Sequence, residues 1–411
     1  MFPITGLAVL SLLLALCLSA GAQPPAAPPG ADAAIFARSL VSMGDTARLQ
    51  HVLAKARRGE AITVAVIGGS ITAGASASKE ENRWGNRVAQ WWRVWATKNG
   101  RPTEQVKFIN AGIGATGSNI AAHRAPAQLL VHKPDLVVAE FAVNDPDSQF
   151  AAETLEGLVR QVLRQPQRPA TAAKPAMMLL FTMNKAGGNA QQWHFKVGQH
   201  YRLPMVSFRD ALWPEIQAGR MKWEDVEADE VHPNDRGHQY CADFVDAVIE
   251  KVLAALPADA QLPAIPEVPK PLISDVFERA TMFVRDTITP TRNDGWKPAD
   301  NWPFGPCWEA DAPGNVLEFE VEGTAVSVVY WRIKRDMGMA SAQVDDRPPV
   351  KLNGWFEADW GGYAAYELVA RDLPPGKHKL RVQVLDEKAP ASNGHKFQLQ
   401  AVMVAGRTAS D

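Results

Sequence analysis

Five prolines, Pro257, Pro263, Pro266, Pro269 and Pro271, fall between Leu256 and Leu272. A stretch this rich in proline cannot propagate a helix and lacks the N–H donors of a central strand. It reads as a stiff linker, 257–272, dividing the 411-residue chain into two units of different periodicity. Domains commonly run to about 100–200 residues, so each side is long enough to bury its own core.

Before the linker, apolar strand-like runs alternate with helical patterns. Ala61 to Ile67 forms a continuous apolar run rich in β-branched residues and ending in Gly68-Gly69. Trp84, Val88, Trp91, Trp92 and Trp95 then recur on one helical face. Further runs follow at 106–109, 136–141 and 177–181, and a last helix is expected from about Asn234 to Leu256. Near-continuous apolar strands between amphipathic helices predict an α/β domain over 51–256, a parallel sheet covered on both faces. After the linker the helical period disappears. Strand patterns at 316–321, 325–331, 378–384 and 397–402, with turns such as Pro374-Pro375-Gly376 and Asn393-Gly394, predict a β-sandwich over 273–411.

The chain opens with an apolar run from Ile4 to Ala20, followed by Ala20-Gly21-Ala22 and a Pro/Ala-rich stretch. That run is short for a membrane span, which wants about 20 residues. It reads as a signal peptide cut after about Ala22, with 23–50 as lead-in, and predicts an exported protein with no membrane association after cleavage. No Lys or Arg precedes the run, and an uncleaved anchor is the alternative. Cleavage leaves Cys241 and Cys307, too few for a disulfide framework, and no Cys/His cluster has zinc-site spacing. With 43 basic against 45 acidic side chains and a net charge of -2, nothing favours nucleic acid as a partner.

Four polar stretches fall where a doubly wound sheet binds ligands, beyond strand ends. They are Gly68-Gly69-Ser70, Asn110 to Ser118, Phe141-Ala142-Val143-Asn144-Asp145, and Asp229-Glu230-Val231-His232-Pro233-Asn234 before the last helix. In this order they resemble the four blocks of the SGNH (GDSL-type) hydrolase superfamily over about residues 60–255. The resemblance implies a flavodoxin-like three-layer fold and a serine esterase. Ser70 matches the nucleophile, His232 the general base and Asp229 the residue that orients it. A serine needs such a base, and the base a third group to hold its tautomer. The implied oxyanion donors are the N–H of Ser70, a second-block N–H and the side chain of Asn144. Counting from Asn110 places the second at Ala115, with Gly114 or Gly117 as alternatives. The sequence departs from the family signature at Gly69, Ile71, Ala115 and Ala142. His238 reads as a structural helix residue, Arg83 and Arg124 as solvated surface, and His123 and His132 carry no distinctive spacing.

Six of the 13 tryptophans, at 296, 302, 308, 331, 355 and 360, follow the linker. Indole faces stack on sugar rings. Trp355 and Trp360, flanking Gly354, Gly361 and Gly362, are the candidate substrate contacts, while Trp84, Trp91, Trp92 and Trp95 read as packing. The expected activity is hydrolysis of a small acyl ester, acetyl, from a small molecule or carbohydrate, with no metal and no cofactor. A lipid or thioester hydrolase of the same superfamily and a non-catalytic carbohydrate-binding envelope protein are the alternatives. Oligomeric state is not legible.

Overall fold

The computed structural model describes residues 31–166, 174–257 and 261–410. The apolar run and its cleavage site at Ala22 lie outside them, as do residues 258–260 of the linker.

The first part of the chain forms one sheet from β1 (Leu40–Ser42), β2 (Ile62–Gly68), β3 (Val106–Gly112), β4 (Leu136–Glu140), β5 (Ala176–Phe181) and β6 (Met205–Ser207). Its order is β1-β6-β5-β4-β2-β3, parallel except for the edge strand β1. Alternate side chains of β2 enter two cores, Val64 and Val66 on one face, Ala65 and Ile67 on the other. Helices α1 (Ala31–Ser39), α2 (Ala47–Arg57), α4 (Trp84–Lys98), α8 (Phe208–Gln217) and α9 (Asp235–Ala254) cover the first face. Helices α5 (Ser118–Gln128), α6 (Gln149–Arg164) and α7 (Gln191–His200) cover the second. This is the expected three-layer sandwich, with the added antiparallel edge β1, too short to show as a periodic run. From β2 the chain steps to β3 on one side and then crosses to β4 on the other. That reversal opens a crevice at the carboxyl end of β2, where the one-turn helix α3 (Ser70–Ala73) begins.

The second part is a β-sandwich. One sheet runs β15 (Tyr363–Ala370), β12 (Ala325–Arg332), β17 (Phe397–Ala405), β10 (Gly305–Ala310) and β9 (Lys297–Asn301), with β7 (Thr281–Phe283) also on β17. The other runs β14 (Val350–Asn353), β13 (Met339–Val344), β16 (Lys377–Val384), β11 (Val316–Glu322) and β8 (Arg292–Asp294). Phe319, Leu352, Leu380, Phe397 and Leu399 meet in the core between them.

The two parts share an interface. Val329, Ala364, Ala401 and Met403 on the outer face of the first sheet pack on Ile120 of α5, and β17 is buried along its whole length. α6 is buried on every side from Ala151 to Leu163, because the sheet takes one stripe and the linker region the other. Its polar residues hold that region. Arg160 donates to the Pro269 carbonyl (2.8 Å) and pairs with Glu278 (2.8 Å). Glu156 accepts the backbone N–H groups of Leu272, Ile273 and Ser274 at 2.5, 2.8 and 3.0 Å. The described part of the proline-rich segment is therefore a strap bonded to the α/β surface rather than a free spacer. Cys241 and Cys307 are buried free thiols.

Candidate active site

The apolar strand β2 ends at Gly68, and α3 starts at Ser70 without an intrahelical acceptor for its first N–H. A β-carbon on Gly69 would stand 2.1 Å from Oδ1 of Asn144. In this chain the Asn144 amide occupies the space a side chain at position 69 would need.

Ser70 Oγ lies 2.8 Å from Nε2 of His232, and Nδ1 of the same ring lies 2.8 Å from Oδ2 of Asp229. The loop carrying both residues folds back on itself through Ala228 N–H to the His232 carbonyl (2.8 Å) and Asn234 N–H to the Val226 carbonyl (3.1 Å). Trp223 Nε1 holds the Asp229 carbonyl at 2.6 Å. Asn234 caps α9 by accepting from the N–H groups of Arg236 and Gly237. Burial alone would raise the Asp229 carboxyl. Bonds from the His232 ring and from the N–H groups of Val231 and His232 instead hold it below the usual carboxylate range. An ionised Asp229 keeps the Nδ1 proton in place and leaves Nε2 free to accept from the serine.

The second stretch is tied to the first by Asn110, whose Nδ2 donates to the Thr72 carbonyl (2.9 Å) while Oδ1 accepts from Gly112 N–H (2.8 Å). Beyond it, Ala115 is exposed and sits at φ 56°, the left-handed region that favours glycine. The Ala115 N–H has no acceptor among the described residues. Asn144 follows β4, and its Oδ1 is buried without a partner among the described residues. The Ser70 N–H, the Ala115 N–H and the Asn144 side chain thus follow the ends of β2, β3 and β4.

Trp302, at the hairpin tip between β9 and β10, completes this mouth. A methyl on Gly114 would lie 3.5 Å from Cη2 of Trp302 and 3.8 Å from Cβ of Ser70, so indole and serine flank the same glycine. Trp302 is 55% exposed and meets Trp331 edge to face. The sequence reading favoured Trp355 and Trp360 instead. Trp360 is 62% exposed and stacked on Tyr363, and Trp355 is half-buried with its carbonyl taken by Arg332. Neither makes a ring or hydrogen-bond contact with Ser70 or His232. The signal for Trp302 was a turn tryptophan followed by Pro303 between two strands too polar to stand out.

The remaining candidates act as scaffold. His238 accepts the Trp84 N–H and donates to the Ala75 carbonyl (3.0 Å), as a structural helix residue should. Trp84 and Trp92 are wholly buried and Trp91 and Trp95 partly so, as the packing reading expected. His123 is buried, which pushes its ring down to about 4, and His132 is exposed. Arg124 is not solvated surface: it is 1% exposed and donates to the Gly68 carbonyl (3.2 Å), and burial lowers it to about 9. Arg83 is half-buried beside Gly74.

Beneath the site, Glu140 is wholly buried and accepts from the hydroxyls of Thr182 (2.7 Å) and Thr72 (3.1 Å). Burial raises its carboxyl to about 7; the two threonine bonds oppose this and the charge of Asp145 adds to it. The folded protein therefore holds this proton over a range where the unfolded chain has lost it. The associated stability is complete below 4.5 and is lost as pH rises to about 7. A shift of this size corresponds to about 3 kcal/mol. Glu140→Gln keeps one threonine as donor and the other as acceptor, and is expected to abolish this part of the decline. Urea midpoints at pH 4.5 and pH 8 check it. Glu227 and Asp246, raised to about 9, leave some decline in the variant, but it should be clearly smaller than in wild type. An equal decline in both would assign it to other groups.

A family model described as GDSL-like lipase/acylhydrolase matches residues 66–240. Two crystal structures of a two-domain esterase (CEX) active on acetylated mannans are similar to the chain, one of them co-crystallized with mannopentaose. Identity is 30% in both. The mannopentaose structure matches over 91% of this chain and 98% of its own, with a TM-score of 0.79. The other matches over 91% and 99%, with a TM-score of 0.80. Among curated proteins none matches. With both domains aligned at this identity, the chain belongs to the GDSL-like lipase/acylhydrolase family and is a carboxylic ester hydrolase.

Proposed function

We propose that the protein is an exported serine esterase that removes acetyl groups from a carbohydrate. Ser70 Oγ attacks the ester carbonyl carbon as His232 Nε2 takes its proton, and Asp229 supports the imidazolium. The N–H groups of Ser70 and Ala115 and the amide of Asn144 hold the oxyanion. Collapse breaks the bond to the sugar oxygen, which leaves with the proton from His232. Water then gives a proton to the same nitrogen and attacks the acyl carbon. Collapse breaks the bond to Ser70 Oγ, which takes the proton back from His232 as acetate leaves.

The observation that carries the carbohydrate reading is Trp302. The β-sandwich brings an exposed indole to the glycine beside Ser70, where a sugar ring bearing the ester would lie. The similar esterase active on acetylated mannans supports the same class of substrate. Trp360, stacked on Tyr363, offers a second exposed indole for an outer sugar residue.

Ser70→Ala is expected to lower kcat for 4-nitrophenyl acetate and for an acetylated manno-oligosaccharide by at least about 10⁴. Trp302→Ala should raise KM for the oligosaccharide about tenfold and leave 4-nitrophenyl acetate within about threefold. Equal losses on both substrates, or a preference for long acyl chains over acetyl, would defeat the carbohydrate reading. Export is proposed from the run 4–20 and Ala20-Gly21-Ala22. The secreted or periplasmic protein should have an intact mass starting at Gln23, and a cytoplasmic protein retaining Met1 would reject this.

A further inference from the structure

Asp145 follows Asn144, takes no part in the chemistry above, and is buried. Its Oδ1 accepts the Ser118 N–H at 2.7 Å, and its Oδ2 lies 3.0 Å from Nε2 of His194. Both side chains of the pair are shielded from solvent, each 2% exposed. Ser118 opens α5 and ends the loop that carries Ala115. A β-carbon on Gly117 would stand 2.4 Å from Oδ1 of Asp145, so the carboxylate reaches that loop only because glycine is there. His194 comes from α7, whose entry is fastened to the same turn by Ala190 N–H on the Ala142 carbonyl (2.8 Å). One carboxylate thus joins the turn after β4, the loop after β3 and a helix of the second layer.

We propose that Asp145, held by His194, is the positioning residue that sets the separation of the Ala115 N–H and the Asn144 amide. The proposal rests on the reading of these two groups as oxyanion donors. Oδ1 fixes the loop and the covalent neighbour is Asn144, so moving the carboxylate moves one donor against the other. His194 fixes the carboxylate plane. Without it the group is free to turn about its own axis and release Ser118. An oxyanion hole is sensitive to such shifts because its donors must meet the oxygen of the tetrahedral state rather than the ground-state carbonyl.

The test uses the full chain with 4-nitrophenyl acetate. Asp145→Ala is expected to lower kcat about 100-fold with KM within about twofold, since the loss falls on the transition state alone. Affinity for methylboronic acid, whose serine adduct is tetrahedral, should fall in parallel. Asp145→Asn retains an oxygen for Ser118 and should restore at least a third of the activity. His194→Phe should lower kcat about tenfold, and His194→Gln, which keeps a donor, should recover it. Should Asp145→Ala fail to fold, the Asn and His194 variants decide, with melting temperatures compared throughout. Asn144→Ala separates the two ideas. If it leaves kcat unchanged, the oxyanion reading itself fails. If it lowers kcat while folded Asp145→Ala, or folded His194→Phe in its absence, stays within threefold of wild type, the positioning role alone is overturned. A KM effect equal to the kcat effect would likewise overturn it.

Discussion

A single buried carboxylate decides how the two halves of this chain meet. Glu156 on α6 accepts three consecutive backbone N–H groups, from Leu272 to Ser274, and the hydroxyl of Tyr201 at 2.6 Å. Leaving one such donor buried and unpaired costs about 1–3 kcal/mol, so the set defines one entry path for the chain into its β-sandwich. Glu153, one turn earlier, continues the line by accepting from Ser274 Oγ (2.8 Å) and pairing with Arg371 (3.3 Å). With the entry fixed on α6, the outer face of the β12–β17 sheet is laid on α5, and the β9–β10 tip reaches Gly114. The aromatic contact beside Ser70 is therefore a consequence of domain docking. A flexible tether would place Trp302 there only part of the time. The bonded strap makes it part of the wall.

How much of this was legible in the sequence follows from what each residue reports locally. β2 showed itself because a strand buried on both faces must be apolar throughout. The four polar stretches showed themselves because polar residues directly after such strands have little structural reason to be there. α6 was legible as a helix but not as a buried one. Glu153, Glu156, Arg160 and Gln161 look like a solvent face, and only the arrival of the linker region turns them inward. Arg124 was misread for the same reason: its partner is the Gly68 carbonyl, a group with no sequence signature. Trp302 lay between strands β9 and β10, whose polar and proline residues hide the period of two. Its importance depends on its nearness to a glycine 188 positions away, which no local pattern reports. Ala115 was found by counting, and the structure adds that alanine accepts there a left-handed backbone that glycine would adopt more readily.

The acidic groups around the site raise a further constraint. Negative charge develops on the oxyanion during reaction, and Asp229 must itself stay ionised. Additional carboxylates close by would oppose the first through repulsion. Glu227, two residues before Asp229, is buried with Oε2 unpartnered among the described residues. Burial, reinforced by the charge of Asp229, raises it to about 9. Glu140 behaves in the same direction beneath α3. At neutral pH Glu227 is thus a neutral acid, and Glu140 is neutral in part. Asp229 keeps its charge, and that charge faces His232. Desolvation of Glu140 and Glu227 is then useful in itself. It lets Glu140 bond Thr72 and Thr182 beneath α3 while adding less of a field that would weaken the donors above it.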